Sequence, residues 1–227
     1  MCTAVTSHIK LLLFIALSSF ILFSCKKELD YSIPMDGDGN TYNVIVIGTQ
    51  TWMVGALRTT TLNDGTPLTL LNGEAWNNPS CPAYCYYNDD VANAETYGVL
   101  YNFVAVNTGL LAPKGWHVAT HDDWNTLAAY FGGIGQAGGK LKATHTWLAP
   151  NEGATNESGL GLLPTGYRDA DGTFDGIGQL GYWWTATIAT GGEQAWMRNL
   201  SNISPQLGGG GSAFTLGFAV LCVKDKS

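Results

Sequence analysis

Glycine sets the first limit on this chain. Twenty-nine of its 227 residues are glycine, scattered from Gly37 to Gly217. That is about 13%, roughly twice ordinary usage. Each glycine inside a helix costs about 1 kcal/mol relative to alanine, so long helices have little chance. Charged residues make up only 13%, which leaves little material for salt-bridged helical surfaces, while an apolar content of 45% is ample for a core. Coiled coils, helical bundles and disordered tails are thereby excluded. An α+β domain of many short strands, one firm helix and long glycine-rich loops remains. The net charge of −7 argues against affinity for a phosphate backbone. Nucleic acid is not an expected partner.

The first segment reads as an address rather than as part of the fold. Lys10 is the only full charge before an apolar run from Leu11 to Phe23, interrupted by Ser18 and Ser19. The run is shorter than the roughly 20 residues of a spanning helix and has the length of a secretory core. It ends in Leu22-Phe23-Ser24-Cys25 before the polar Lys26-Lys27-Glu28, which resembles a bacterial lipobox. Residues 1–24 are therefore expected to be a lipoprotein signal peptide. Cys25 is the expected lipidation site, 25–35 a lipidated tether, and 36–227 the folded domain. The expected place is the outer membrane or cell surface, reached through a lipid anchor. Once Cys2 and Cys25 are set aside, Cys81, Cys85 and Cys222 remain in an oxidising compartment, enough for one bridge in any of three pairings. Zinc is not expected, because Cys81-x3-Cys85 has no neighbouring histidine.

Patterning places several elements. Asp36-Gly37-Asp38-Gly39-Asn40 is a turn cluster, and Tyr42–Ile47 and Thr51–Val54 read as strands. Thr120 is a good helix N-cap with Asp123 three residues on, a capping box with the shorter acid. Trp124, Leu127, Ala128 and Phe131 then share one face, and Gly132-Gly133 closes the helix, which spans about 121–131. The tail alternates from Phe214 to Cys222 and reads as a strand. Gly208–Ser212 before it reads as a flexible loop.

Several motifs tempt a chemical reading and fail. Gly133-x-Gly135-x-x-Gly138 matches a dinucleotide fingerprint but follows a helix rather than a strand. Asp36-x-Asp38-x-Asn40 and Asp169-x-Asp171-x-Thr173-x-Asp175 open like calcium loops, yet lack glycine at position six and glutamate at twelve. Both read as turns; calcium is possible in the second but unsupported by a motif, and no other cofactor is implied. His117, His121, Asp122 and Asp123 have no nucleophile elbow or metal-binding helix beside them and read as structural.

The aromatics carry more. There are eight tryptophans, including Trp183-Trp184, whose side chains must point to opposite faces of a strand. Aromatics beside Asp and Asn suit sugars, whose apolar faces stack while their hydroxyls are hydrogen-bonded. Tyr87, Asn88, Asp89, Arg168, Trp183 and Trp184 are the candidate ligand-binding residues.

A series of ordered blocks then carries a resemblance. It includes Ile47-Gly48-x-Gln50-x-Trp52-Met53, Tyr84-Cys85-Tyr86-Tyr87-Asn88, Gly98-x-Leu100-Tyr101-Asn102 and Gly115-Trp116-His117-Val118. Gly138-Gly139-Lys140-Leu141-Lys142, Leu163-Pro164-x-Gly166-Tyr167-Arg168, Gly181-Tyr182-Trp183-Trp184 and Cys222-Val223-Lys224-Asp225 complete it. Over about 36–225 the chain resembles the Fibrobacter succinogenes major paralogous domain, found in exported proteins and lipoproteins of Bacteroidetes. The stretch Gly115–Thr120 leading into the Trp124 helix also resembles C-type-lectin-like domains and formylglycine-generating enzymes. The resemblance implies a C-type-lectin-like fold: short twisted antiparallel sheets, one main helix, and loops presenting a binding surface. It leaves Cys85, or no cysteine, as the candidate disulfide partner of Cys222. Neither the calcium motifs of sugar-binding lectins nor the paired C-terminal cysteines of the enzymes are present.

The expected function is therefore non-catalytic: a lipid-anchored envelope protein binding a glycan or an extracellular protein through loops near 84–90, 167–175 and 182–198. A structural or assembly role in a surface complex is the alternative. An enzyme of formylglycine-generating type stands behind both.

Overall fold

β-Branched residues at Val44–Ile47 form strand β1, which turns at Gly48 (φ 59°) into β2, Gln50–Met53. The computed structural model describes residues 33–76 and 80–226. The proposed leader, Cys25 and most of the 25–35 tether lie outside these residues. Short strands β3 (Thr69–Leu70), β4 (Ala83–Cys85) and β5 (Leu100–Tyr101) follow, with helix α1 (Asn93–Tyr97) before β5 and α2 (Phe103–Val106) after it. Then come β6 (Trp116–Val118), α3 (His121–Tyr130) and α4 (Ile134–Leu141). The C-terminal part is sheet: β7 (Thr165–Arg168), β8 (Phe174–Ile177), β9 (Leu180–Ile188), β10 (Gln194–Ser201), β11 (Ser204–Ala213) and β12 (Cys222–Lys224). The class is α+β.

The strands form three sheets, ordered β1-β2-β12-β6, β11-β10-β9-β7-β8 and β3-β4-β5. Pairing is antiparallel except between β3 and β4 and between β7 and β9. Ser32–Ser227 forms one compact unit, and its interior is divided into two apolar clusters. The dividing wall is made of strands whose alternate side chains enter different cores. Trp52, Leu100, Trp183, Leu221 and Val223 go one way; Met53, Tyr101, Trp184, Val220 and Cys222 go the other.

The main helix matches the sequence reading. Thr120 Oγ1 accepts from the Asp123 backbone N–H at 3.1 Å, and Asp123 Oδ2 accepts from the Thr120 N–H at 2.9 Å. This reciprocal pair satisfies two of the donors a helix start leaves open. Gly132 and Gly133, at φ 93° and 97°, end α3. Both turn clusters also form as read: Asp36 Oδ1 accepts from the N–H groups of Asp38 and Asn40, and the Asp169–Thr173 stretch joins β7 to β8.

Two expectations of local structure are corrected. Gly208–Ser212 is not a loop but the middle of β11, paired with β10 along its length. The alternating tail is a strand only at Cys222–Lys224; Gly217, Phe218 and Ala219 make isolated bridges to Arg168, Tyr101 and Trp183. It threads between sheets, and its alternation records two buried faces. The glycine-fingerprint segment is itself helix α4. Its Gly138 and Gly139 are held against backbone, where a Cβ would collide with the carbonyls of Gln206 and Gly153 respectively.

Candidate functional site

Arg168 and Asp89, expected to meet a ligand, instead meet each other. The Arg168 guanidinium is 0% exposed; its Nη1 donates to Asp89 Oδ1 at 3.0 Å and to the Leu71 carbonyl at 2.8 Å. Nη2 donates to Gly73 O at 2.8 Å and Nε to Gly172 O at 3.1 Å. The rings of Trp76 and Phe174 sandwich it, with centroids 4.9 and 4.5 Å from Cζ. Asp89 Oδ2 also accepts from the Gly73 N–H. Planar, forked and always charged, arginine is the side chain suited to such a node. It ties the 71–76 loop and the Tyr87–Asp89 turn to the β7–β8 hairpin, so it is a fold clamp with no face left for a ligand.

Trp183 and Trp184 are likewise interior, at 1% and 0% exposure. Trp183 leans on Trp124, while Trp184 packs on Phe103 and Phe218 and donates from Nε1 to the Tyr101 carbonyl at 2.8 Å. They form no exposed stacking platform, because both faces of β9 are covered at Trp183 and Trp184. Tyr87 is buried against Phe174 with centroids 5.3 Å apart, and Asn88 stands exposed in a left-handed conformation at φ 56°. Cys81, Cys85 and Cys222 are all unbridged. Cys85 and Cys222 lie in different cores, which is why the expected pair does not form. Burial pushes the Cys85 thiol up to about 12, against a smaller opposite pull from Arg168, and burial also pushes the Cys222 thiol well up.

His117 is also committed to structure. Its Nδ1 lies 2.7 Å from Asp225 Oδ1 and its Nε2 lies 3.0 Å from Asp123 Oδ2. Two carboxylate acceptors favour the imidazolium, so the hydrogen bond to Asp123 leads in raising the His117 pKa. Among the described residues, no three of His, Cys, Asp and Glu converge to hold a metal.

One open groove among the described residues, of about 470 Å³, is lined by Asp38, Asn40, Arg58, Tyr86, Val91, Ala94 and Glu95. The 36–40 turn builds one wall: buried Asp36 gathers the Asn40 side-chain amide and the Tyr42 hydroxyl, fixing the loop. Asp38 Oδ2 accepts from the Thr60 hydroxyl at 2.9 Å, joining that wall to the next segment. Arg58 lies over the Tyr42 ring, its Cζ 5.7 Å from the centroid, and its Nε is buried without a hydrogen-bond partner. Tyr86 sits edge-on to Tyr84 at 5.6 Å, half-buried beside α1, whose Ala94 and Glu95 complete the opposite wall. The groove thus brings one aromatic face together with two carboxylates, a guanidinium and an amide.

Within the expected 84–90 loop, Tyr86 rather than Tyr87 lines this groove. Tyr84, Cys85 and Tyr87 are buried, while Tyr86 faces the groove. A period-two reading from Tyr84 does not separate the two, because the strand ends at Cys85 and a 3-10 turn begins at Tyr87. Arg58 carries no chemical signal of its own in the sequence.

The profile of the Fibrobacter succinogenes major domain matches residues 45–224. The chain belongs to this family. No curated protein and no solved structure matches the chain. The Fibrobacter succinogenes major domain, as matched, begins in β1 and ends with β12, so it takes in the Arg168 clamp and all of both cores' buried residues except Tyr42. Of the groove residues, Arg58, Tyr86, Val91, Ala94 and Glu95 fall inside the match, whereas Asp38 and Asn40 precede it.

Proposed function

We propose that this Fibrobacter succinogenes major domain is a binding module of the cell envelope that takes a saccharide unit in the Tyr86 groove. The observation that carries the reading is the groove itself. A half-buried aromatic ring converges there with Asp38, Glu95, Asn40 and Arg58 in an open space large enough for a sugar ring. Stacking on Tyr86 would hold the apolar face of the sugar, and the polar groups would fix its hydroxyls. The protonated, buried thiols of Cys85 and Cys222 support a non-catalytic role.

The proposed setting is extracytoplasmic, with the chain cut before Cys25 and held by a lipid on that cysteine; the apolar run and Ser24-Cys25 support this. The proposed fold class is C-type-lectin-like, supported by the strand Trp116–Val118 running into the capped helix α3. A second reading, docking of a protein partner along an edge strand, draws on β1, which ends its sheet with Val46 at 49% exposure. A glycan array probed with wild type and Tyr86→Ala tests the first reading. Binding in the wild type that falls at least tenfold in the variant is expected. Signal unchanged by the substitution contradicts the groove.

A further inference from the structure

The glycine strand β11 frames a second feature, which shares no residue with the Tyr86 groove. Arg198 on β10 is 6% exposed, and its Nε has no hydrogen-bond partner. Its Nη2 donates to Asn125 Oδ1 and lies 3.5 Å from His121 Nδ1. A ring nitrogen facing a guanidinium must be the unprotonated one, so both partners are neutral. Burial and then the Arg198 charge lower the His121 pKa, in keeping with that tautomer. Among the described residues, Arg198 makes no ion pair with a carboxylate. A guanidinium withdrawn from water without a carboxylate is an expensive arrangement for a fold to keep. Arg168 shows how this same chain completes a structural arginine, with an acid and three carbonyls.

The neighbours of Arg198 carry the chemistry of a recognition site. Trp196, two residues before it on the same face of β10, lies half-buried against His121 with ring centroids 4.4 Å apart. Across the strand pair, Trp196 and Arg198 face Gly211 and Gly209, both exposed. Those glycines leave the floor bare for a reason. A Cβ on Gly209 would stand 3.1 Å from Arg198 Cδ and Nη1, and one on Gly211 would stand 2.5 Å from Gln194 Oε1. Arg198, a cation without a carboxylate, thus stands beside an aromatic ring and two amides, with exposed glycine backbone across the strand pair.

We infer that Trp196, Arg198, Gln194, His121 and Asn125, over the bare backbone of Gly209 and Gly211, form a subsite for the carboxylate or sulfate of an acidic saccharide. The anion supplies the counter-charge that Arg198 lacks, and the sugar body lies along Trp196.

Isothermal titration with tetragalacturonate, a sulfated tetrasaccharide and neutral maltotetraose tests this on the Tyr86→Ala background, which removes the other proposed site. At least one acidic probe binds, maltotetraose does not, and Asn125→Asp weakens binding at least tenfold while raising the melting temperature. That substitution places a carboxylate beside Arg198 on an exposed helix position and so competes with the ligand without disturbing the core. Trp196→Ala weakens binding as well. Failure of both acidic probes, equal binding of the neutral one, or full affinity in Asn125→Asp would overturn the inference.

Discussion

Trp183 and Trp184 are chain neighbours whose indoles lie in different cores, one against Trp124 and the other against Phe103 and Phe218. The pair shows how the domain is built. Strand β9 is a partition, and the large rings on either side fill two interiors rather than a surface. Trp184→Ala should cost about 3–5 kcal/mol, the usual range for truncating a buried aromatic. An exposed stacking residue would cost within about 0.5 kcal/mol. Urea unfolding of the two proteins separates the cases.

The Arg168 clamp predicts an asymmetric response. Arg168→Met strands Asp89 and leaves the carbonyls of Leu71, Gly73 and Gly172 without this donor, so a loss of about 3–5 kcal/mol is expected. Asp89→Asn, which keeps an acceptor beside the guanidinium, should cost less. Denaturation midpoints at constant slope give the comparison.

These two predictions also mark what the sequence could and could not show. Alternation placed Trp183 and Trp184 on opposite faces, but only the tertiary arrangement shows that both faces are covered. Helix α3 was readable because its stop and start signals are local: Thr120, Asp123, Gly132 and Gly133 all lie within the segment. Helix α4 was not, because Gly135, Gly138 and Gly139 oppose helix propensity, and two of them are held by close approach to distant backbone. Four consecutive glycines from Gly208 carry no periodic signal, so β11 is legible only from its pairing with β10. The Tyr86 groove joins residues from 38 to 95, and no local pattern brings those together.

Stability should fall at both ends of the pH scale around His117. Its pKa is raised above 6.5, so its stabilising effect is complete below about pH 6.5 and fades as pH climbs through the raised folded-state value. For Asp123, burial pushes the carboxyl up, but the hydrogen bonds from His117 and Thr120 outweigh it and leave it well below 3.8. That contribution is present above about pH 4 and fades as pH falls further. His121 acts in the opposite sense near neutrality, because its pKa is lowered. The difference between wild type and His117→Gln isolates the first effect: the variant should lose the decline in stability above pH 6.5, measured by urea titrations from pH 4 to 9.

Thiol chemistry should follow burial. Cys85 and Cys222 should resist an aromatic disulfide reagent in the native protein at pH 8 and react on unfolding, while half-buried Cys81 reacts faster. Peptide mapping after timed labelling assigns each site. Fast native labelling of Cys222 would contradict the two-core arrangement.

Amide chemical-shift mapping with the strongest saccharide from the array tests the proposed groove most directly. The account predicts shifts centred on Asp38, Asn40, Arg58, Tyr86, Val91, Ala94 and Glu95. Shifts confined to the edge strand Val44–Ile47, or none in the groove while the saccharide remains bound, would contradict it.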